Sequence, residues 1–167
     1  MLEIMFSVAV LTVAVSGMAS AMISSMKLDR VNRETTVAHE AARQVLETVQ
    51  SQAFAEVFAT YNANAADDPA GAGTAPGANF AVGGLRAQAG DPDGFPGQVL
   101  FPMQGTQIRE DIVDLGWAMP RDLNGDAVVD GLDHSADCRM LPVRVRVAWT
   151  GITGPRTLDL ETILVER

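Results

Sequence analysis

The first 26 residues form an almost uninterrupted apolar run, MLEIMFSVAVLTVAVSGMASAMISSM. The only formal charge in this run is Glu3, and no lysine or arginine occurs before Lys27. About 26 helical residues extend roughly 39 Å, which is enough to cross the hydrocarbon core of a bilayer. Because Gly17 is the only glycine or proline before Asp68, we expect the apolar run to continue without a break into the helix that follows.

From Lys27 to about Phe58 the pattern becomes amphipathic. Apolar residues recur at spacings of three and four, and charged or polar residues fall largely between them, which predicts a helix that lies with one face against a sheet. Together with the apolar half this would be one helix of about 55 residues, roughly 85 Å long. The apolar positions are Leu28, Val31, Ala38, Ala42, Val45, Leu46, Val49, Ala53, Val57 and Phe58.

Residues 61–97 are rich in Ala, Gly, Pro and Asp, a composition that cannot sustain a helix and predicts a long surface loop. A few large apolar residues, such as Phe80 and Val82, would anchor it in part. Asp91 and Asp93 lie in the sequence DPDGFPG, which we interpret as successive turns rather than a metal site.

The last 25 residues predict a β-hairpin. Val143, Val145, Val147 and Trp149 alternate with polar residues, which is typical of a half-buried strand. After a turn at 151–155, a second strand alternates Thr157, Asp159 and Glu161 with Leu158, Leu160, Ile163 and Val165. Two shorter strands are predicted at Gln98–Met103 and Gln107–Trp117. The predicted fold class is therefore α+β, with an apolar half-helix (1–26), an amphipathic half-helix (27–60), a loop (61–97) and a β-sheet domain (98–167).

The sequence Met1-Leu2-Glu3-Ile4-Met5, followed by the apolar run Phe6 to Val15, resembles the N-terminus of mature type IV pilins. The C-terminal hairpin is similar to those of minor pilins and of type II secretion pseudopilins. The resemblance implies a ladle-shaped fold, in which the lower half of a long helix packs on an antiparallel sheet. Glu3 falls at the family's glutamate, which there pairs with the N-terminal amine of a neighbouring subunit during assembly. Met1 then corresponds to the third residue of a mature pilin, so two residues and a basic leader peptide would precede it.

The resemblance also implies partners and a location. The chain would wait in the inner membrane and then pack with copies of itself or with other pilins in an extracellular filament on the bacterial surface. Three other interpretations of the first 26 residues stay open. A secretory signal peptide has an A-x-A site at Ala19-Ser20-Ala21 but lacks a basic n-region. A signal anchor followed by Lys27 and Arg30 would keep the rest of the chain in the cytoplasm. The third is an ordinary buried helix.

Charge and motifs narrow the function classes. The chain has 167 residues and a net charge of −9, which disfavours nucleic acid as a partner because phosphate contacts need clustered Lys and Arg. Cys138 is the only cysteine, so no intramolecular disulfide is possible, unlike in many pilins, and we interpret it as a packed thiol. No motif of an enzyme is present, and we expect neither catalysis nor a small-molecule substrate.

One stretch has the pattern of a metal site. Residues 122–133, DLNGDAVVDGLD, place oxygen donors at positions 1, 3, 5, 9 and 12, the spacing with which an EF-hand loop surrounds Ca²⁺. A donor set of oxygen atoms alone favours Ca²⁺ over Zn²⁺ or copper. The predicted ligands are Asp122, Asn124, Asp126, Asp130 and Asp133, with the backbone carbonyl of Val128 at position 7.

The loop is closest to the dockerin-type repeat, D-x-N-G-D…D-x-x-D, and it departs from the EF-hand pattern in two ways. Position 6, where a left-handed backbone is needed, is Ala127 rather than Gly, at a cost of roughly 1 kcal/mol. The last donor is Asp133 rather than Glu. The alternatives are an Asx-rich turn that needs no metal and, as a different function, a membrane-tethered calcium-dependent binding module. A dockerin would need a second copy of the loop, and only one is present.

Overall fold

A computed structural model describes residues 2–166. They form an α+β fold in which a long N-terminal helix packs on an antiparallel sheet, and this confirms the predicted fold class. The arrangement is compatible with the ladle shape of pilins. The elements are α1 (Leu2–Ser51), α2 (Phe54–Tyr61), β1 (Asn79–Phe80), β2 (Gly97–Leu100), β3 (Met103–Gln104), β4 (Gln107–Ile108), β5 (Met140–Gly151) and β6 (Gly154–Val165).

The main sheet is antiparallel and has the order β1-β2-β5-β6. The predicted C-terminal hairpin is present: β5 and β6 pair along their full length, from Met140 opposite Val165 to Gly151 opposite Gly154. Strand β1 ties the long loop to the sheet, because Phe80 lies opposite Gly97 of β2. The Phe80 ring occupies the space where a Cβ on Gly97 would stand, so only glycine fits at this position.

The side chains on the face of β5 that points towards α1 form the core between this strand and the helix. Val145 and Val147 are fully buried, and Trp149 is 2% exposed, as their alternation predicts. Ala38 and Ala42 of α1 are also fully buried against these residues. Two small side chains spaced by one helical turn allow the helix backbone to come close to the sheet.

The expected continuous helix of 55 residues is wrong near its end. α1 stops at Ser51, Ala53 has an extended backbone (φ −63°, ψ 128°), and α2 starts at Phe54. The change of direction buries Val57 and Phe58 beside the lower end of the sheet, where the Phe58 ring meets Phe101 edge to face at 5.3 Å. No glycine or proline marks this break, and the burial of Val57 and Phe58 offsets part of the cost of interrupting the helix.

The predicted alternation of β6 is wrong in its last residues. Ile163 and Val165 are 37% and 55% exposed, whereas Thr162 and Leu164 are the less exposed residues of this stretch. The strand keeps an unbroken period of two from Leu158 onwards, so each side chain at an odd position faces outwards.

The predicted strand Gln107–Trp117 is wrong beyond Ile108. Strand β4 ends there, and the chain runs as irregular structure with one isolated bridge, from Asp114 to Met119, until β5 begins. Part of this segment covers the outer face of the sheet. As a result Arg144, expected on a polar face, is only 8% exposed.

Arg144 joins the covering segment to the sheet. Its guanidinium donates to both carboxylate oxygens of Asp114 (3.0 and 2.8 Å) and to Glu161 (2.6 Å), and it lies 4.4 Å from the centre of the Trp117 ring. The hydrogen bonds from Arg144 hold the pKa of Asp114 below its ordinary value. A bidentate pair with cation–π support is a stronger tether than a simple surface ion pair.

Candidate functional site

The first half of α1 is not covered by any other described part of the chain. Every residue from 2 to 30 is exposed, and the first fully buried residue is Ala38. An 18-residue window of the helix has a mean hydropathy of 2.0, and none of it is buried. This segment could therefore anchor the chain in a membrane, and it is equally compatible with a signal sequence.

Four of the six hydroxyl groups that precede Lys27 are satisfied within the helix. Each donates to the carbonyl oxygen four residues earlier: Ser7 to Glu3, Thr12 to Val8, Ser16 to Thr12 and Ser24 to Ser20, at 2.8–3.0 Å. They therefore need no partner in lipid or in an apolar bundle. Glu3 differs from them because its carboxylate is the only charged side chain before Lys27.

The first residue of the loop at 122–133, Asp122, bonds to the backbone of residues further along the same loop. The Asp122 carboxylate accepts hydrogen bonds from the backbone N–H of Gly125 (2.6 Å) and of Ala127 (2.7 Å), and these bonds lower its pKa. Ala127 has a φ of +68°. The left-handed backbone that the EF-hand pattern requires at position 6 is therefore present, although the residue there is alanine.

The other predicted ligands are engaged locally. Asp126 accepts from the N–H of Val128 (2.8 Å), and its other oxygen is 3.4 Å from the Asn124 amide nitrogen. One oxygen of Asp133 accepts from the N–H of Ile108 (3.2 Å) and of Ser135 (3.1 Å). Asp133 therefore links the loop to β4 and has only its second oxygen left for a cation.

Glu110, which the sequence did not suggest, lies beneath the loop. It is fully buried. One carboxylate oxygen accepts from the N–H of Leu123 (2.6 Å) and of Asn124 (3.3 Å), and the other accepts from the N–H of Asp130 (3.4 Å). A single buried carboxylate thus holds both ends of the loop.

His134 lies beside Glu110 and is 4% exposed. Its Nε2 is 3.1 Å from Asp130 Oδ1 and 3.8 Å from Glu110 Oε2, and its Nδ1 is 3.1 Å from Asp137 Oδ1. Burial by itself would lower the pKa of His134, but the hydrogen bonds to Asp130 and Asp137 and the charge of Glu110 raise it overall.

Glu110, Asp130 and His134 could hold a metal ion. One potential ligand atom from each lies within 4.8 Å of the others, and within residues 2–166 no other set of three His, Cys, Asp or Glu side chains meets this condition. Of the predicted calcium ligands, only Asp130 belongs to the group. The sequence held a weak signal for two members, because Asp130 and His134 are four residues apart; it held none for Glu110.

Cys138 is a poor ligand in this state. Its side chain packs against the core, and burial raises the pKa of the thiol to about 11. A protonated thiol neither binds a metal strongly nor reacts readily, in agreement with the interpretation of Cys138 as a packed residue.

Comparisons with known proteins found no counterpart for this arrangement. No protein-family model matches the chain, and no curated protein and no solved structure does.

Proposed function

We propose that this chain is a structural subunit of a type IV pilus-like extracellular filament and that Ca²⁺ stabilises its globular domain. The observation that carries the proposal is the division of α1: residues 2–26 are almost entirely apolar or small and are exposed, whereas the half from residue 31 onwards packs on the sheet. An exposed apolar helix needs lipid or other helices around it. Copies of the same helix, packed in the core of a filament, would provide them after the chain leaves the membrane.

Glu3 supports assembly rather than a simple anchor. A carboxylate inside an apolar environment is costly unless a cation neutralises it. The nearest basic residue along the helix is Lys27, about 36 Å away at 1.5 Å per residue. No lysine or arginine of its own helix can therefore neutralise it, and the N-terminal amine of a neighbouring subunit is the group that the pilin resemblance implies.

Replacing Glu3 with valine should separate assembly from membrane insertion. We expect Glu3→Val to leave the amount of protein in the membrane fraction unchanged and to lower the yield of sheared filaments about tenfold or more, because loss of an ion pair worth a few kcal/mol shifts an equilibrium at least that far. The measurement is an immunoblot of both fractions from the producing bacterium.

Asp29→Asn is the matched control, since it removes an acidic residue of the same helix outside the apolar half. Wild-type protein that never enters filaments would instead favour a membrane-tethered module, and normal filaments with Glu3→Val would contradict the role of Glu3.

The calcium part of the proposal rests on the loop at 122–133. Its donors have the right spacing, Ala127 already has the required left-handed backbone, and Asp122 is already bonded to the backbone N–H of position 6. Acidic side chains close together in one loop repel one another unless a cation is bound. Asp133 would offer the oxygen that is not bonded to Ile108 or Ser135, and Asp126 would turn from its contact with the Asn124 amide to complete the coordination.

Bound Ca²⁺ should therefore raise the melting temperature of the globular domain. Loops of this kind on extracellular proteins often bind Ca²⁺ with a Kd of roughly 10⁻⁴ to 10⁻³ M. Because a cation that binds only the folded state stabilises it by RT ln(1 + [L]/Kd), 1 mM Ca²⁺ would contribute about 0.4–1.4 kcal/mol. We expect millimolar Ca²⁺ to raise the melting temperature, EDTA to lower it and Mg²⁺ to do less. Asp122→Ala should abolish the difference between Ca²⁺ and EDTA, whereas Asp91→Ala should leave it unchanged. Identical melting curves in Ca²⁺ and EDTA would show that the loop is only a turn.

A further inference from the structure

The position of His134 is not explained by an oxygen-only calcium loop. The imidazole is 4% exposed, and three carboxylates surround it: Asp130, Asp137 and the fully buried Glu110. None of the six atoms predicted to bind Ca²⁺ is a nitrogen. The cluster therefore calls for an explanation that includes the ring.

The two ring nitrogens have different surroundings. Nδ1 faces Asp137 alone, whereas Nε2 faces Asp130 and Glu110 together. In the tautomer whose Nδ1–H donates to Asp137, the Nε2 lone pair points between the other two carboxylates. Histidines that bind metals have this arrangement, in which a carboxylate orients the ring from the far side.

We propose that Glu110, Asp130 and His134 bind a divalent transition-metal ion of the Zn²⁺ class, with Asp137 as the residue that orients His134. One imidazole and two carboxylates suit Zn²⁺, Co²⁺, Mn²⁺ or Fe²⁺, whereas Ca²⁺ and Mg²⁺ prefer oxygen ligands alone. This site goes beyond the proposed filament function and does not depend on it.

The distances fit such an ion. Ligands at about 2.0–2.2 Å from a tetrahedral ion are roughly 3.3–3.6 Å from one another. His134 Nε2 is 3.1 Å from Asp130 Oδ1 and 3.8 Å from Glu110 Oε2, and one potential ligand atom of each residue lies within 4.8 Å of the others. Side-chain movements of about 1 Å would therefore bring all three to the same ion. Asp130 lies at the surface, with 36% of its side chain exposed, which leaves room for water as a fourth ligand.

The metal site shares Asp130 with the calcium loop, and hydrogen bonds from the loop N–H groups of Leu123 and Asn124 to Glu110 and from the Asn124 amide to Asp137 (3.2 Å) also join the two. Asp122 and Asp126 bond to their own loop backbone, and neither belongs to the group around His134. Variants of Asp122 should therefore remove the calcium response and keep the transition-metal ligands, variants of His134 should abolish transition-metal binding, and variants of Asp130 should affect both.

Cobalt absorption tests this proposal on the full-length chain in detergent, after metal has been removed with EDTA and the chelator dialysed away. We expect added Co²⁺ to give visible d–d absorption of the intensity typical of four-coordinate cobalt and Zn²⁺ to abolish it. Cobalt bound by Cys138 would instead show a sulfur charge-transfer band in the near ultraviolet. His134→Gln should lose the visible bands, and Asp137→Asn should weaken cobalt binding about 10- to 100-fold.

Two controls separate this site from its neighbours. His39, the only other histidine, is exposed on α1, so His39→Gln should leave the cobalt spectrum unchanged. Asp122→Ala should also leave it unchanged while it removes the calcium response. A wild-type chain without visible cobalt absorption would overturn the proposal without any variant, and so would bands that persist in folded His134→Gln. Either result would leave the cluster as an ion-pair network that only supports the loop.

Discussion

Glu110→Ala is expected to lower the free energy of unfolding by about 3 kcal/mol or more, measured in EDTA so that no metal contributes. The Glu110 carboxylate is fully buried and accepts hydrogen bonds from the N–H groups of Leu123, Asn124 and Asp130. Its removal leaves the buried N–H of Leu123 without a partner, which costs about 1–3 kcal/mol by itself, and the part-buried N–H groups of Asn124 and Asp130 add less because water can reach them. Urea unfolding followed by circular dichroism measures the change.

Two further variants make this prediction specific. Glu110→Gln keeps the shape and one good acceptor, so we expect it to lie between wild type and Glu110→Ala. Glu40→Ala removes an exposed acid of α1 and should change the stability by no more than about 0.5 kcal/mol. If Glu110→Ala unfolded at the wild-type urea concentration, the loop would be held by contacts other than this carboxylate.

Deletion of residues 1–26 is expected to turn a chain that needs detergent into a water-soluble folded monomer. The large exposed apolar side chains of α1 all precede residue 29, and burial against the sheet begins beyond residue 30. The deletion therefore removes apolar surface and costs the domain no core contact. Size-exclusion chromatography without detergent and a thermal melt would measure both effects, and we expect the melting temperature to stay within about 3 °C of the full-length value, which corresponds to less than about 1 kcal/mol.

A longer deletion, which also removes core residues, serves as the comparison for the deletion of residues 1–26. Removal of residues 1–44 also takes away Ala38 and Ala42, which are fully buried between α1 and the sheet, and should lower the melting temperature strongly. An aggregated or unfolded product of the shorter deletion would show that the apolar segment belongs to the core of the domain, and it would remove the basis for a filament or membrane role.

Regular patterns in the sequence determined most of the fold. The apolar run from residue 1 to 26, the spacing of three and four through Ala38, Ala42 and Val49, and the alternation from Val143 to Trp149 all predicted the elements that the structure contains. Such patterns can be detected because the side chains that share a buried face recur at the period of the helix or strand itself. The Asp122 loop was equally visible, since its donors are neighbours in one short stretch.

Contacts between distant segments were decided only by the tertiary structure. Arg144 alternates with buried valines and was expected on a solvated face, but the chain around Asp114 folds over it. The helix also breaks at Ala53, where the sequence has neither glycine nor proline, and the segment after the break places Val57 and Phe58 in the core.

The candidate metal-binding group could not be predicted from the sequence for the same reason, because its residues come from distant segments. Glu110 and His134 are 24 residues apart, and nothing in their local sequence indicates that they meet. The path of the chain after β4 brings them together, because Asp133 bonds to the backbone of Ile108 while Glu110 bonds to the loop. Local periodicity therefore determined the elements of this protein, whereas the burial of one carboxylate between two loop segments decided where its candidate metal site lies.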